Sequence, residues 1–244
     1  MKKLIFIIVI LFAGALIAQP SADEIIKKVD ANTVTNSQIA VSKMIIKGRR
    51  GSRTVEAKTW QRGSDDSFTE YLAPAREKGT KMLKLGDQLW TYSPSTDRTI
   101  LISGHMLRQS VMGSDLSYED MMEDPLLQNM YNAKIIGEEK ILDRPVWIIE
   151  LTSKKEDISY DSRKAWVDKE RFIILKEELY AKSGKLLKTI DIHEIKKFDG
   201  RWVATSLTYK DVLKDGDGTQ MQLDEIKFNE RIPDYILSKA SLRR

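Results

Sequence analysis

The chain has 244 residues with 41% hydrophobic and 31% charged side chains, 13 glycines and 6 prolines, which excludes collagen-like, low-complexity and wholly disordered classes and leaves ample length for a sizeable core. No cysteine and only two histidines are present, so a disulfide framework, an iron–sulfur cluster, a zinc ribbon, a thiol nucleophile and a histidine-built metal site are all excluded; no metal and no cofactor is expected. The formal net charge is +4, and part of it belongs to the first three residues.

Met1-Lys2-Lys3 is a basic start, Leu4 to Ile17 an apolar run, and Ala18 a small residue before Gln19-Pro20. That is the pattern of a secretory signal peptide over residues 1–18, and the run is shorter than the roughly 20 residues a membrane span needs. Cleavage near Ala18 predicts an exported, periplasmic protein, with an uncleaved anchor as the alternative. Without Lys2 and Lys3 the chain has 38 Lys and Arg against 36 Asp and Glu, a net charge of +2. Nothing then marks a nucleic-acid binder.

Residues 19–244 read as one domain. Ser21 is a helix cap, Asp23 and Glu24 sit in a first turn, and Ile25, Ile26 and Val29 form an apolar stripe, which predicts a short helix over 22–31. The period then changes to two. Strands are predicted at 38–49, 54–61, 67–72, 81–85, 88–92 and 98–102, and a second series at 134–141, 146–153, 163–167, 172–181, 186–196, 201–213 and 219–229. Turn residues such as Gly86-Asp87, Ser183-Gly184 and Asp215-Gly216 separate them. Hairpin after hairpin without helices between them means an antiparallel meander. Val146-Trp147-Ile148-Ile149 is apolar on both strand faces, so both faces of the sheet are expected to be covered there. Pro233 to Leu237 is predicted as a short final helix.

Residues 104–131 interrupt the strand pattern. Met106, Leu107 and Val111 have helical spacing, Met122, Leu126 and Met130 recur at fours, and Asp124-Pro125 looks like a cap followed by a first-turn proline. Five of the nine methionines lie here: Met106, Met112, Met121, Met122 and Met130. Methionine repacks against irregular apolar partners, so the insert is a candidate lid over a greasy hollow, or else a core plug at the end of a barrel.

No catalytic constellation is found. Nucleophile-elbow, Walker, dinucleotide and zinc-protease motifs are absent, and His105 and His193 each read as structural or surface imidazoles. The Asp215 to Gly218 run lacks the length and closing Glu of a calcium loop and reads as a hairpin turn. Arg49-Arg50 with Arg53 reads as a solvated hairpin tip. These residues argue for an exported β-rich binder and against an enzyme.

Three stretches carry a family likeness. They are Pro74-Ala75-Arg76-Glu77-Lys78-Gly79-Thr80-Lys81-Met82-Leu83; Leu89-Trp90-Thr91-Tyr92-Ser93-Pro94 running to Arg98-Thr99-Ile100; and Met112-Gly113-Ser114-Asp115-Leu116-Ser117-Tyr118-Glu119-Asp120-Met121. With Ala165-Trp166-Val167-Asp168 and Gly184-Lys185-Leu186-Leu187-Lys188-Thr189 following in order, the chain resembles the outer-membrane lipoprotein-sorting protein family of the LolA/LolB-like superfamily. No counterpart of the best-known carrier's functional arginine is placed. The resemblance implies a mainly β fold: a strongly curved antiparallel sheet, an incomplete barrel with short helices filling its concave face. It also implies a periplasmic carrier that holds acyl chains of lipoproteins or other lipids and moves them toward the outer membrane. An inner-membrane transporter would be the donor and an outer-membrane protein the acceptor, and the carrier would act as a monomer. The alternative is a lipid-binding sensor or interaction module that partners an inner-membrane regulator or efflux system.

The expected ligand-contacting residues are Met82, Trp90, Met106, Leu107, Val111, Met112, Leu116, Met122, Leu126, Met130, Trp147 and Trp166. The insert would line or gate the hollow and the tryptophans would form its sheet wall. Asp115 and Tyr118 are expected to fix the insert to the sheet.

Overall fold

The computed structural model describes residues 19–48, 51–156 and 158–244. The expected signal peptide, and Arg49 and Arg50 of the hairpin tip, lie outside the described residues. Helix α1 spans Ala22–Thr33. The Ser21 hydroxyl accepts the Glu24 N–H while the Glu24 carboxylate accepts the Ser21 N–H, which satisfies two donors that a helix start leaves unpaired. Ile25, Ile26 and Val29, spaced by one and three residues, share the buried face.

Six strands follow: β1 (Ser37–Gly48), β2 (Gly51–Arg62), β3 (Asp66–Ala73), β4 (Lys81–Leu85), β5 (Gln88–Ser93) and β6 (Arg98–Ile102). Seven more come after the insert: β7 (Tyr131–Ile141), β8 (Arg144–Ser153), β9 (Ser162–Asp168), β10 (Ile174–Tyr180), β11 (Leu186–Phe198), β12 (Arg201–Asp211) and β13 (Thr219–Phe228). Every strand expected from the alternation is present. All thirteen form one antiparallel, curved sheet in the order β6-β5-β4-β3-β2-β1-β13-β12-β11-β10-β9-β8-β7, and it does not close into a barrel. This is the incomplete barrel expected of the resemblance.

Two features of that order position everything else. The first strand pairs with the last, Gln38 opposite Phe228, which joins the two meanders into one surface. And β6 and β7, neighbours in the chain, stand at opposite edges of the sheet. The segment between them must therefore cross its whole width. It does so as a 3₁₀ turn at Gly104–Arg108, another at Val111–Gly113, then α2 (Tyr118–Met122) and α3 (Leu127–Met130).

Alternation divides the side chains between two faces. On the inner face, α1 packs Ile25, Ile26 and Val29 against Trp147, Ile149 and Leu151 of β8 and Ala165 and Val167 of β9. The insert covers the other wing, over Met44, Val55, Ala57, Tyr71, Met82, Leu89 and Ile102. On the outer face, the C-terminal segment lays Ile232, Leu237 and Leu242 across Phe68, Leu83 and Trp90. Val146, Trp166 and Leu175 form a separate outer cluster, with the Lys164 and Lys176 ammonium groups 4.7 and 4.5 Å from the Trp166 ring. The doubly apolar β8 thus has both faces covered, one by α1 and the other by side chains of the sheet itself.

Two local expectations are corrected. Pro233 to Leu237 turns without forming a helix, and the final 3₁₀ helix comes later, at Lys239–Arg243. Helix α3 starts at Leu127 rather than beside Pro125. The Asp124 carboxylate accepts the Leu126 N–H, and the helix's own first donors go to another element. The Asp215 to Gly218 run is the β12–β13 turn, and glycine is needed at its end. Gly218 has φ +88°, and a Cβ there would lie 2.7 Å from the Tyr209 carbonyl oxygen. Among the described residues no helix is long and apolar enough to cross a membrane.

Candidate functional site

The inner face is not filled evenly. Between the α1 cluster and the insert cluster, where the two meanders meet, an apolar cleft of about 430 Å³ remains. Its floor is the central seam of the sheet: Ala40 and Ser42 of β1, Val203, Thr205 and Leu207 of β12, and Met221, Leu223, Ile226 and Phe228 of β13. One wall is the end of α1 (Val29, Asn32, Thr33) with Phe172 and Ile174 beside it. Short side chains at Ala40, Ser42 and Thr205 leave space on this floor between the larger Leu207, Met221, Leu223 and Phe228. Its volume falls within the range of small-molecule pockets, roughly 300–1,000 Å³.

The insert, whose cluster meets the cleft only at Met221, is fastened at three places. At its first half, the Asp115 carboxylate accepts the Thr219 hydroxyl (2.7 Å) and the Asp211 N–H (3.0 Å). Lys214 donates to Ser110 Oγ and the Ser114 carbonyl, both at 2.7 Å. Arg53 donates to the Met112 carbonyl while pairing with Glu77 at 3.0 Å, so it is a structural clasp and not the solvated tip residue the sequence suggested. At its far end, the buried carboxylate of Asp30 on α1 accepts the Leu127 and Gln128 N–H groups (3.0 Å each), the first donors of α3. Burial pushes Asp30 above the usual carboxylate range, against the pull of those two N–H groups.

The third fastening is a buried polar network. Asp120 of α2 pairs with Lys188 of β11 and accepts the Tyr160 hydroxyl; Glu123 and Glu177 both pair with Arg163 of β9. Tyr131 donates to the Tyr160 carbonyl (3.0 Å) and accepts from Arg163 Nε (2.9 Å). Burial disfavours ionised Asp120, but Lys188 with the Ser117 N–H and Tyr160 hydroxyl outweighs it and holds the carboxyl below its usual range. Burial pushes Glu123 up even beside Arg163. Arg163, desolvated but flanked by Glu177 and Glu123, stays charged. Burial also pushes the Tyr131 phenol up to about 12.

None of the twelve expected ligand residues lines the apolar cleft. Met82, Met106, Leu107, Val111, Met112, Leu116 and Met122 come together in the cluster between the insert and β1–β6. Trp147 and Met130 belong to the α1 cluster, and Leu126 is half-buried at the start of α3. Leu107, Met122 and Met130 also border a second, mixed-polarity hollow of about 580 Å³, with Arg108, Glu119, Glu123 and Lys155. Trp90 and Trp166 face the other way, on the outer surface. Trp90 is opposite Leu101 and Trp166 opposite Ile148, on the strand face away from α1 and the insert. Asp115 makes the anchoring contacts described above, and Tyr118 packs half-buried in the insert cluster.

Sequence reasoning missed Arg163, Glu177 and Lys188, the clasp made by Arg53, and the pairing of Asp120 with Lys188 beside its capping of α2. A signal existed. Arg163 has the parity of Ala165 and Val167, and Lys188 that of Ile190 and Ile192, so each is a charge at an inward position. Among the described residues no cluster of carboxylates and imidazoles could hold a metal ion. His193 bonds Thr208 at 2.7 Å, and neither histidine lines the cleft.

Comparison with curated proteins finds no match. Solved structures do match. A domain from Vibrio parahaemolyticus described as outer membrane lipoprotein-sorting is 24% identical with a TM-score of 0.80, covering 91% of this chain and 98% of that one. A DUF1329 family protein from Desulfovibrio piger is 24% identical with a TM-score of 0.83, over 91% and 97%. A LolA superfamily protein from Nitrosomonas europaea is 24% identical with a TM-score of 0.75, over 91% and 100%. A family model with the description "-like: Uncharacterized protein" matches residues 63–244. The chain therefore belongs to that family, and its fold is the LolA-like fold of outer-membrane lipoprotein-sorting domains.

Proposed function

We propose that the protein is a periplasmic lipid carrier that shelters an acyl chain of a lipoprotein or other lipid in the cleft and carries it toward the outer membrane. The observation that carries this reading is the apolar hollow at the seam of an unclosed sheet, which meets the methionine-rich insert cluster at Met221. A lipid leaving a bilayer exposes its chains, at roughly 0.8 kcal/mol per CH₂, so one long chain costs on the order of 10 kcal/mol. A carrier replaces that contact with its own wall, without binding so tightly that release fails. The insert's methionines supply adaptable area beside the cleft for a chain longer than the cleft itself. The lipoprotein-sorting description of the Vibrio domain agrees with this reading. The donor would be an inner-membrane transporter, the acceptor an outer-membrane protein, and the carrier a monomer whose cargo is bound and not chemically altered.

Native mass spectrometry on protein purified without detergent, followed by lipid extraction, is expected to show a co-purifying lipid. A chain that stays lipid-free and takes up none from vesicles refutes the carrier. Gating is tested separately. Asp115 and Thr219 touch across the insert–sheet boundary, and the protein has no other thiols. An Asp115→Cys/Thr219→Cys pair should take up lipid when reduced and much more slowly when oxidised; equal uptake means that the insert does not move. One observation favours the sensor alternative: β6 is an open edge with Ile100 and Leu101 44% and 43% exposed, able to receive a partner strand. A stable complex with a solubilised inner-membrane regulator would select it over transient lipid transfer.

A further inference from the structure

Near the end of α1, cations stand against aromatic rings that line the cleft. Arg171 lies 4.2 Å over the Trp202 ring and Lys197 5.7 Å from the same ring, and Trp202 lines the cleft. The neighbouring Arg201 sits 5.8 Å from the ring of Phe228, another lining residue, and donates to the Ala31 and Val34 carbonyls at the end of α1. None of the three forms an ion pair with a carboxylate among the described residues. Glu24 is turned back onto Ser21, and Asp199, in the adjoining turn, is exposed and pairs with none of them. A fourth cation, Lys28, is 4.2 Å over the Phe172 ring.

Arg171 is also held in place. The fully buried Asp168 carboxylate accepts the Glu170 and Arg171 N–H groups (2.9 Å each), and Asn32 donates to the Arg171 and Phe172 carbonyls (2.9 and 3.0 Å). Within this grip Phe172 adopts φ +51°, a conformation a bulky side chain rarely takes and one that persists only where the surroundings impose it. The strained turn is what puts an aromatic ring into the cleft and a guanidinium at its edge.

We propose that the cleft takes an anionic amphiphile: an alkyl chain along the β1–β13–β12 seam, and a carboxylate or phosphate at the rim formed by Arg171, Lys197 and Arg201. The proposal rests on the carrier reading above and adds the charge of the cargo to it. Guanidinium groups suit planar or tetrahedral oxyanions through paired N–H donors, and at the mouth of an apolar cleft their attraction is less screened than on an open surface. A neutral or cationic head of equal chain length gains nothing there.

The test compares C16 probes below their micelle concentrations on the purified protein: palmitate, palmitoyl-lysophosphatidylglycerol, hexadecanol and hexadecyltrimethylammonium. At low salt at least one of the two anionic probes is expected to bind about tenfold or more tightly than hexadecanol. The advantage should shrink when salt rises from ~0.05 to ~0.5 M, an arm that needs no variant. In Arg171→Gln/Lys197→Gln the ratio of anionic to neutral affinity should fall toward one. Whichever anionic probe has the larger advantage identifies the head as carboxylate or phosphate. If hexadecanol or the cationic probe binds as well as both anions, the rim proposal fails while the carrier reading stands. If no C16 probe binds, both fail.

Discussion

Arg163 is the side chain on which the inner polar network turns. It is 7% exposed and lies between Glu123 and Glu177, so its removal leaves two carboxylates buried without a counter-charge. Breaking such a set by deleting one partner costs about 3–5 kcal/mol, whereas neutralising all of it at once costs far less. Arg163→Ala should therefore lower the urea midpoint sharply, and Arg163→Ala with Glu123→Gln and Glu177→Gln should recover much of the loss. Asp120 makes a pH prediction. Its folded pKa lies below its unfolded value of 3.8, so its contribution is fully present above pH 3.8 and is lost as pH falls through the depressed folded value. Glu123, pushed up from 4.5, has the opposite sign and favours the fold as it takes up a proton. In melting curves against pH, Asp120→Asn should flatten the fall below pH 3.8; an unchanged acid limb would mean the Asp120–Lys188 pair does not contribute to stability.

Among the elements, α1 and the insert depend on each other. Helix α3 has no side-chain cap of its own, and its first two donors are satisfied by Asp30, on the helix packed against it. Asp30→Ala should cost about 1–2 kcal/mol, as loss of a capping acceptor does. Hydrogen exchange at the Leu127 and Gln128 amides should accelerate more than at β8 amides. Uniform acceleration would mean that Asp30 supports the global fold rather than the strap's far end. The insert is legible in the sequence as a break in the strand period, but its capping is not. Its helices are too short for periodicity to place, and the Asp30 acceptor lies 97 residues away in the chain.

For the whole molecule, the sheet order decides where cargo can sit. The strap must cross from edge to edge, α1 fills one wing, and the seam between them has short side chains at Ala40, Ser42 and Thr205, so the hollow lies at the β1–β13 junction. Ala40→Trp places an indole in that hollow. It should abolish C16 binding while moving the melting temperature by only a few degrees, because the space is open in the wild-type protein. Retained binding would put the cargo elsewhere, with the mixed-polarity hollow beside Met122 the next candidate.

The sequence by itself determined the local elements: thirteen alternating segments, the capped first helix and the helical interruption, because side-chain period and turn chemistry act over a few residues. It also separated the two faces of each strand, so the parity that puts Trp90 and Trp166 opposite Met82 and Trp147 was already present. What only the tertiary structure decided was which face is the inner one, which residues leave a gap on it, and which charges meet there. Those depend on β1 finding β13 and on a strap joining opposite edges, contacts between segments far apart in the chain that no local pattern encodes.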